Sequence, residues 1–263
     1  MGHPRVVAAF LSVALATVLV GCGGGDGGSD DLATACEAQV GVATGFVAVL
    51  RSVPGLSAYS APSAEESASI RSAYEANVTT PLAALVTGAP AEIAEEVRQV
   101  AATGAELRST GDPASLEGDD FIRATDLIDA HMQENCAGTK ATVEAVDYAY
   151  EDLPRTLPAG AVRLALRNTA TEAHNLLLFA RQPGVTESYD ELLALGGEER
   201  QSKLALVNLT LTDPGQTGYL VADLAAGDYI AICSIGKGTT DYGDPSGGEP
   251  HFTLGMRQEV KVG

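Results

Sequence analysis

The chain has 263 residues, 45% of them hydrophobic, no Trp and a formal net charge of -19. That length allows two ordinary domains, with cores built from Ala, Val and Leu rather than aromatics. With only four Lys, the charge excludes a nucleic-acid binder, whose phosphate contacts need Lys and Arg; it describes a solvated acidic surface, with docking to a basic partner as the alternative.

The chain opens with Arg5 and an apolar run from Val6 to Val20, too short for a comfortable membrane span. The run ends Leu19-Val20-Gly21-Cys22, which resembles a bacterial lipobox. The resemblance implies a signal peptide over 1–21, cleavage before Cys22 and lipidation of its thiol. An ordinary secretory signal with an incidental cysteine is the alternative reading. Residues 22–31 are rich in Gly and are expected to form a flexible tether.

Residues 32–138 read as a small helical bundle. Cys36, Val40, Ala43, Val47 and Leu50 recur at helical spacing and predict one apolar face, ended by Pro54. Ser63 and Glu66 form a capping-box pattern. Thr80-Pro81 and Ala89-Pro90 read as further helix starts, with proline at the first helical position. Ile93, Val97, Val100, Gly104 and Leu107 make another stripe, stopped at Gly111-Asp112-Pro113, and Asp119 or Asp120 opens a last helix carrying Phe121, Ala124 and Ile128. No catalytic constellation is visible here. His131-Met132 is read as ordinary helix side chains, with a second metal contact as the alternative. Cys36 and Cys136 bracket the bundle and are the natural disulfide in an oxidising compartment, leaving Cys233 unpaired; pairing of either with Cys233 stays open.

Residues 142–263 change texture. Short alternating runs cover Val143–Tyr150, Val162–Leu166, His174–Ala180, Leu204–Leu211, Tyr219–Leu224, Asp228–Ser234 and Glu259–Val262. Turn signals separate them, and Glu187–Leu195 reads as a short helix. About seven or eight short strands predict a β-sandwich, hence an α+β chain of two domains. A thiol, two imidazoles and a thioether recur within it, the donor set of a trigonal copper site with a long axial bond.

His174-Asn175, then Gly227-x-Tyr229-x-x-x-Cys233-Ser234, then His251-x-x-x-x-Met256 resembles the cupredoxins, the type 1 blue copper proteins. The resemblance covers about 120 residues. It implies a cupredoxin-like Greek-key sandwich binding copper through His174, Cys233, His251 and, weakly, Met256. Asn175 and Ser234 would tie the ligand-bearing segments together, and Tyr229 would be core. The family loop between cysteine and second histidine is usually short, whereas Ser234–Pro250 has seventeen residues here, five of them Gly. Such a loop is expected either to fold over the site or to leave His251 mobile and the site exposed. Its acids Asp241, Asp244 and Glu249 are read as solvent-facing, with a hard-cation site as the alternative.

The implied function is one-electron transfer by an extracytoplasmic, lipid-anchored bacterial membrane protein that meets a redox or copper-exchange partner. The alternatives are copper delivery without redox turnover and a metal-free interaction module. An enzyme is not expected: the chain has no Gly-x-Ser-x-Gly elbow, His-Glu-x-x-His pair or phosphate loop.

Overall fold

A computed structural model describes residues 27–53, 61–241 and 247–263. The expected signal peptide, Cys22 and Asp244 lie outside these residues. The first half is a bundle of α1 (Gly27–Arg51), α2 (Ala64–Asn77), α3 (Thr79–Gly88), α4 (Ala94–Thr110) and α5 (Asp119–Asn135). Two local signals act where expected, but the prolines expected at first helical positions do not: Pro81 is the third residue of α3, and Pro90 precedes a 3-10 turn, with α4 starting at Ala94. Ser63 and Glu66 make both bonds of a capping box at the start of α2. Gly111, at φ 68°, closes α4 in the left-handed conformation that glycine adopts without penalty. Helix α1 starts inside the stretch 22–31 expected to be tether. In a long packed helix each added residue gains a bond without new nucleation cost, so low-propensity ends are drawn in. The Cys36–Cys136 disulfide ties α1 to the end of α5.

The second half begins with β1 (Thr139–Val146), a little before the boundary expected at 142, followed by β2 (Ala149–Glu151), β3 (Thr156–Leu157), β4 (Gly160–Asn168) and β5 (His174–Arg181). Two short helices follow, α6 (Tyr189–Ala194) and the unanticipated α7 (Gly197–Lys203). The remaining strands are β6 (Leu204–Thr212), β7 (Thr217–Leu224), β8 (Gly227–Ile232) and β9 (Arg257–Val262). They make two sheets, ordered β2-β1-β4-β7 and β3-β9-β8-β5-β6. Strand β6 meets β7 at the corner between the sheets, and β8 returns beside β5. The spatial order β8-β5-β6-β7 is a Greek key. Inward-facing residues such as Val162, Leu164, Leu166, Leu176, Leu178, Leu220 and Ala222 fill the space between the sheets.

Helix α1 lies against the bundle on one side and against edge strands β6 and β7 on the other. This overturns the single apolar face expected for it. Ala35, Ala38, Val42 and Val49 enter the bundle core, whereas Leu50 is 42% exposed. Burial on two sides also explains why Asp31–Arg51 is apolar enough, by length and composition, to cross a membrane. The helix covers the sheet edges that would otherwise present unpaired backbone.

Arg163, on β4, is 2% exposed and donates to the carbonyls of Cys36 and Ala137 and to Gln39 Oε1. Gln39 in turn donates to Asp129 of α5. The two terminal nitrogens of a buried sandwich guanidinium thus find acceptors on α1 and just past α5, while its Nε has no partner among the described residues. A fragment starting at residue 142 would strip its partners and truncate β1, so experiments call for the whole chain.

Asp129 yields a pH prediction. Burial, partly offset by the Gln39 bond, raises its carboxyl to about 7, from roughly 3.9 when unfolded. The folded state therefore holds a proton that the unfolded state has lost, and this contribution to stability declines as pH rises from about 4 to 7. Asp129→Asn should flatten that decline, read as a smaller difference in urea midpoint between pH 5 and pH 8. An unchanged difference would show that Asp129 does not titrate in this window.

Candidate metal centre

Strand register delivers the site. Strands β5 and β8 are antiparallel neighbours with Leu177 opposite Ile232. Continuing that register outward sets the start of β5, His174-Asn175, beside the end of β8, Cys233-Ser234. Where backbone pairing stops, the Asn175 side chain takes over. Its amide donates to Ser234 Oγ at 3.0 Å, and its Oδ1 accepts the Ser234 N–H at 2.9 Å. The Asn175 N–H points at Cys233 Sγ, 3.4 Å away.

The third segment is a 3-10 turn, His251–Leu254, followed by Gly255 and Met256. Backbone bonds fasten it to the cysteine: Cys233 N–H donates to Met256 O, Phe252 N–H to Cys233 O, and His251 N–H to Ile235 O. The Met256 N–H closes the turn on His251 O.

These segments bring together three donor atoms. Cys233 Sγ lies 3.7 Å from His174 Nδ1 and 3.4 Å from His251 Nδ1, and the two Nδ1 atoms are 3.1 Å apart. His174, Cys233, His251 and Met256 are all 0% exposed, and Met256 shares the core cluster of Cys233. A triangle with these edges has a circumscribed radius of about 2.0 Å, close to metal–imidazole bond lengths and slightly short of a metal–thiolate bond. Two nitrogens and a sulfur converge on one point at the distance a transition-metal ion occupies, and the donor set is the softness mixture that suits copper.

Electrostatics agree with a metal-binding role. Burial, with a smaller contribution from its neighbour His251, pushes the His174 imidazole down to about 4, so at neutral pH it is uncharged and able to ligate. Burial pushes the Cys233 thiol up to about 11, although the Asn175 and Ile235 N–H groups oppose this. The metal-free site therefore stores a proton on sulfur that metal binding must release. Cys233 is the free cysteine among the described residues, because Cys36 and Cys136 are bonded to each other.

The described arms of the long loop are paired with each other, and His251 beneath them is buried. Gly236 pairs with Pro250, Lys237 N–H donates to Glu249 O, and Gly248 N–H donates to Lys237 O. Gly236 and Gly247 pack so closely that a Cβ on either would come within 2.6 Å of the other's Cα. Only glycine fits at that crossing. Asp241 is exposed, and Glu249 accepts from Thr253 Oγ1. His131 and Met132 lie in the bundle, with Met132 packed on the disulfide sulfur of Cys136. They do not join the site.

Sequence reasoning missed Glu172 and Tyr148. Glu172 Oε2 lies 2.9 Å from His251 Nε2, and Tyr148 stacks edge-on against the His251 ring at 5.0 Å. A lone acid in an irregular stretch has no periodicity to mark it.

Asn175→Ala should leave the fold intact but free the two ligand segments from each other. Copper(II) affinity should fall about 10–100-fold. A competition titration against a chelator of known affinity checks this, and an unchanged constant would reduce Asn175 to a structural side chain.

No protein-family model matches the chain, and no curated protein matches it. Solved structures similar to its C-terminal half are cupredoxins. Dithionite-reduced auracyanin from the photosynthetic bacterium Roseiflexus castenholzii is 20% identical, with 48% of this chain and 98% of that chain covered and a TM-score of 0.32. Auracyanin A, a blue copper protein of the green thermophilic photosynthetic bacterium Chloroflexus aurantiacus, is 20% identical, with 47% and 99% covered and a TM-score of 0.29. A multicopper oxidase is 12% identical, with 48% and 45% covered and a TM-score of 0.29. On its own strand order the C-terminal half of this chain is a two-sheet Greek-key β-sandwich with a His/Cys/His group at one end.

Proposed function

We propose that the chain is a membrane-anchored, extracytoplasmic copper protein that transfers single electrons through a type 1-like site. The observation that carries this reading is the buried triangle of His174 Nδ1, His251 Nδ1 and Cys233 Sγ. Those three would hold the ion, and the buried thioether of Met256 would be a further, weak donor. Bound there, copper supplies a one-electron couple, with thiolate and thioether favouring Cu(I) and imidazole favouring Cu(II).

The chain's own residues do the rest. The sandwich core excludes water. The Asn175–Ser234 bonds and the backbone bonds around Cys233 fix the donors, so little rearrangement accompanies a change of charge. The paired loop arms and the complete burial of His251 favour an electron carrier over a delivery protein, which must open its site to hand metal on. Anchoring through Cys22 and an extracytoplasmic redox partner belong to the same proposal. The Cys36–Cys136 disulfide supports an oxidising compartment.

The test is a copper(II) titration of the whole mature chain, followed by voltammetry of the loaded protein. An intense visible thiolate-to-copper band at one equivalent, with a reversible couple, is expected. Tight Cu(I) binding without a stable Cu(II) form would turn the reading to copper delivery. No binding of either ion would sink both and leave an interaction module.

A further inference from the structure

His251 carries a second hydrogen-bonding atom that faces away from the triangle, and the fold treats it with care. Nε2 lies 2.9 Å from Glu172 Oε2. The same oxygen accepts the Gly238 N–H at 2.8 Å, and Oε1 accepts Tyr148 Oη at 3.1 Å. The carboxylate is thus held by three donors from three segments: the turn between β1 and β2, the long loop, and the His251 turn. Two of these segments are set up for it. Gly238 sits at φ 90°, a conformation that favours glycine, and Tyr148 holds a left-handed φ of 60° that side chains rarely adopt. Ala173, next to the glutamate, donates to Thr239 O at 2.8 Å, clamping the loop to this stretch. By contrast His174 Nε2, also buried, has no hydrogen-bond partner among the described residues.

A carboxylate accepting from Nε2 requires the proton on that nitrogen. The neutral ring must then present Nδ1 to the site as a bare lone pair. We propose that Glu172, locked in place by Tyr148 and the Gly238 turn of the long loop, is the positioning and tuning residue for His251. It selects the Nε2–H tautomer before metal arrives, and its negative charge favours the more positive ion, Cu(II), over Cu(I). The extra length of the loop has a role on this view: it brings the Gly238 N–H to the carboxylate. The inference rests on the copper reading for its second half only, because tautomer selection is a property of the metal-free chain.

The experiment compares the whole mature chain with Glu172→Gln and Glu172→Ala. The metal-free proteins, labelled with 15N-histidine, are read by NMR for the His251 tautomer. Copper(II) and copper(I) affinities and the potential are then measured with the metal alone as probe. The wild type should show one tautomer, protonated at Nε2, and Glu172→Ala a mixture. Glu172→Gln keeps an acceptor but loses the charge. Its Cu(II) affinity relative to Cu(I) should fall about tenfold, raising the potential by about 59 mV. Glu172→Ala should lose Cu(II) affinity by about 10–100-fold. A folded Glu172→Ala protein with unchanged tautomer, affinities and potential would overturn the proposal. A wild type that binds no copper would overturn the tuning role together with the copper reading, while the tautomer comparison would still decide the positioning role.

Discussion

Cys233→Ala is expected to abolish the visible copper(II) band completely while leaving the protein folded. The reasoning is local. Cys233 supplies the single thiolate donor in the triangle, and the charge-transfer transition belongs to the sulfur–copper bond, so no residual colour should survive its removal. The structural cost is small because the side chain is small, about 1 kcal/mol as for an ordinary substitution. The contrast appears in linked stability. At free copper 100 times its dissociation constant, the wild type should gain about 2.7 kcal/mol against unfolding, and the variant essentially none. Urea melts with and without copper, alongside the visible titration, make the measurement. A persistent band, or an equal gain in the variant, would place the metal elsewhere in the chain.

Removing the disulfide should have the largest effect on stability. Cys36 and Cys136 are 100 residues apart, so the bond closes a loop containing almost the whole bundle. In the chain-entropy model a loop of that size is worth about 4.7 kcal/mol. A double substitution, Cys36→Ala with Cys136→Ala, should lower the urea midpoint by about 2 M if the slope is about 2 kcal/mol per molar. The same half-turn of α1 offers the Cys36 carbonyl to Arg163, so the bond also steadies the junction between bundle and sandwich. A shift below about 1 kcal/mol would show that packing of α1 alone holds the bundle in register.

Much of the chemistry was legible in the sequence because each part of it is carried by short-range order. A His-Asn pair at a strand start, a cysteine at a strand end and a His–Met turn are local patterns, and the strands bearing them alternate visibly. Helix caps such as Ser63 with Glu66 and the stop at Gly111 are likewise decided within a few residues. What was illegible depends on segments that meet only in three dimensions. The apolar residues of α1 read as one face, yet the helix is covered from two sides, and periodicity cannot report partners as far along the chain as β6 and β7. Arg163 sits in an otherwise ordinary strand and is buried because the bundle supplies its acceptors.

The candidate site divides in the same way. The residue types that make His174, Cys233, His251 and Met256 a candidate donor set could be read from the sequence, because ligand chemistry is a property of residue types, and the structure groups His174, Cys233 and His251. The tertiary structure alone decided what surrounds those donors. The long loop doubles back on glycines 236 and 247, and Glu172 becomes the partner of His251 only when that loop, the Tyr148 turn and the start of β5 are brought together. The physical reason is that donor identity is written residue by residue, whereas the hydrogen bonds that orient a donor join groups whose spacing along the chain is arbitrary.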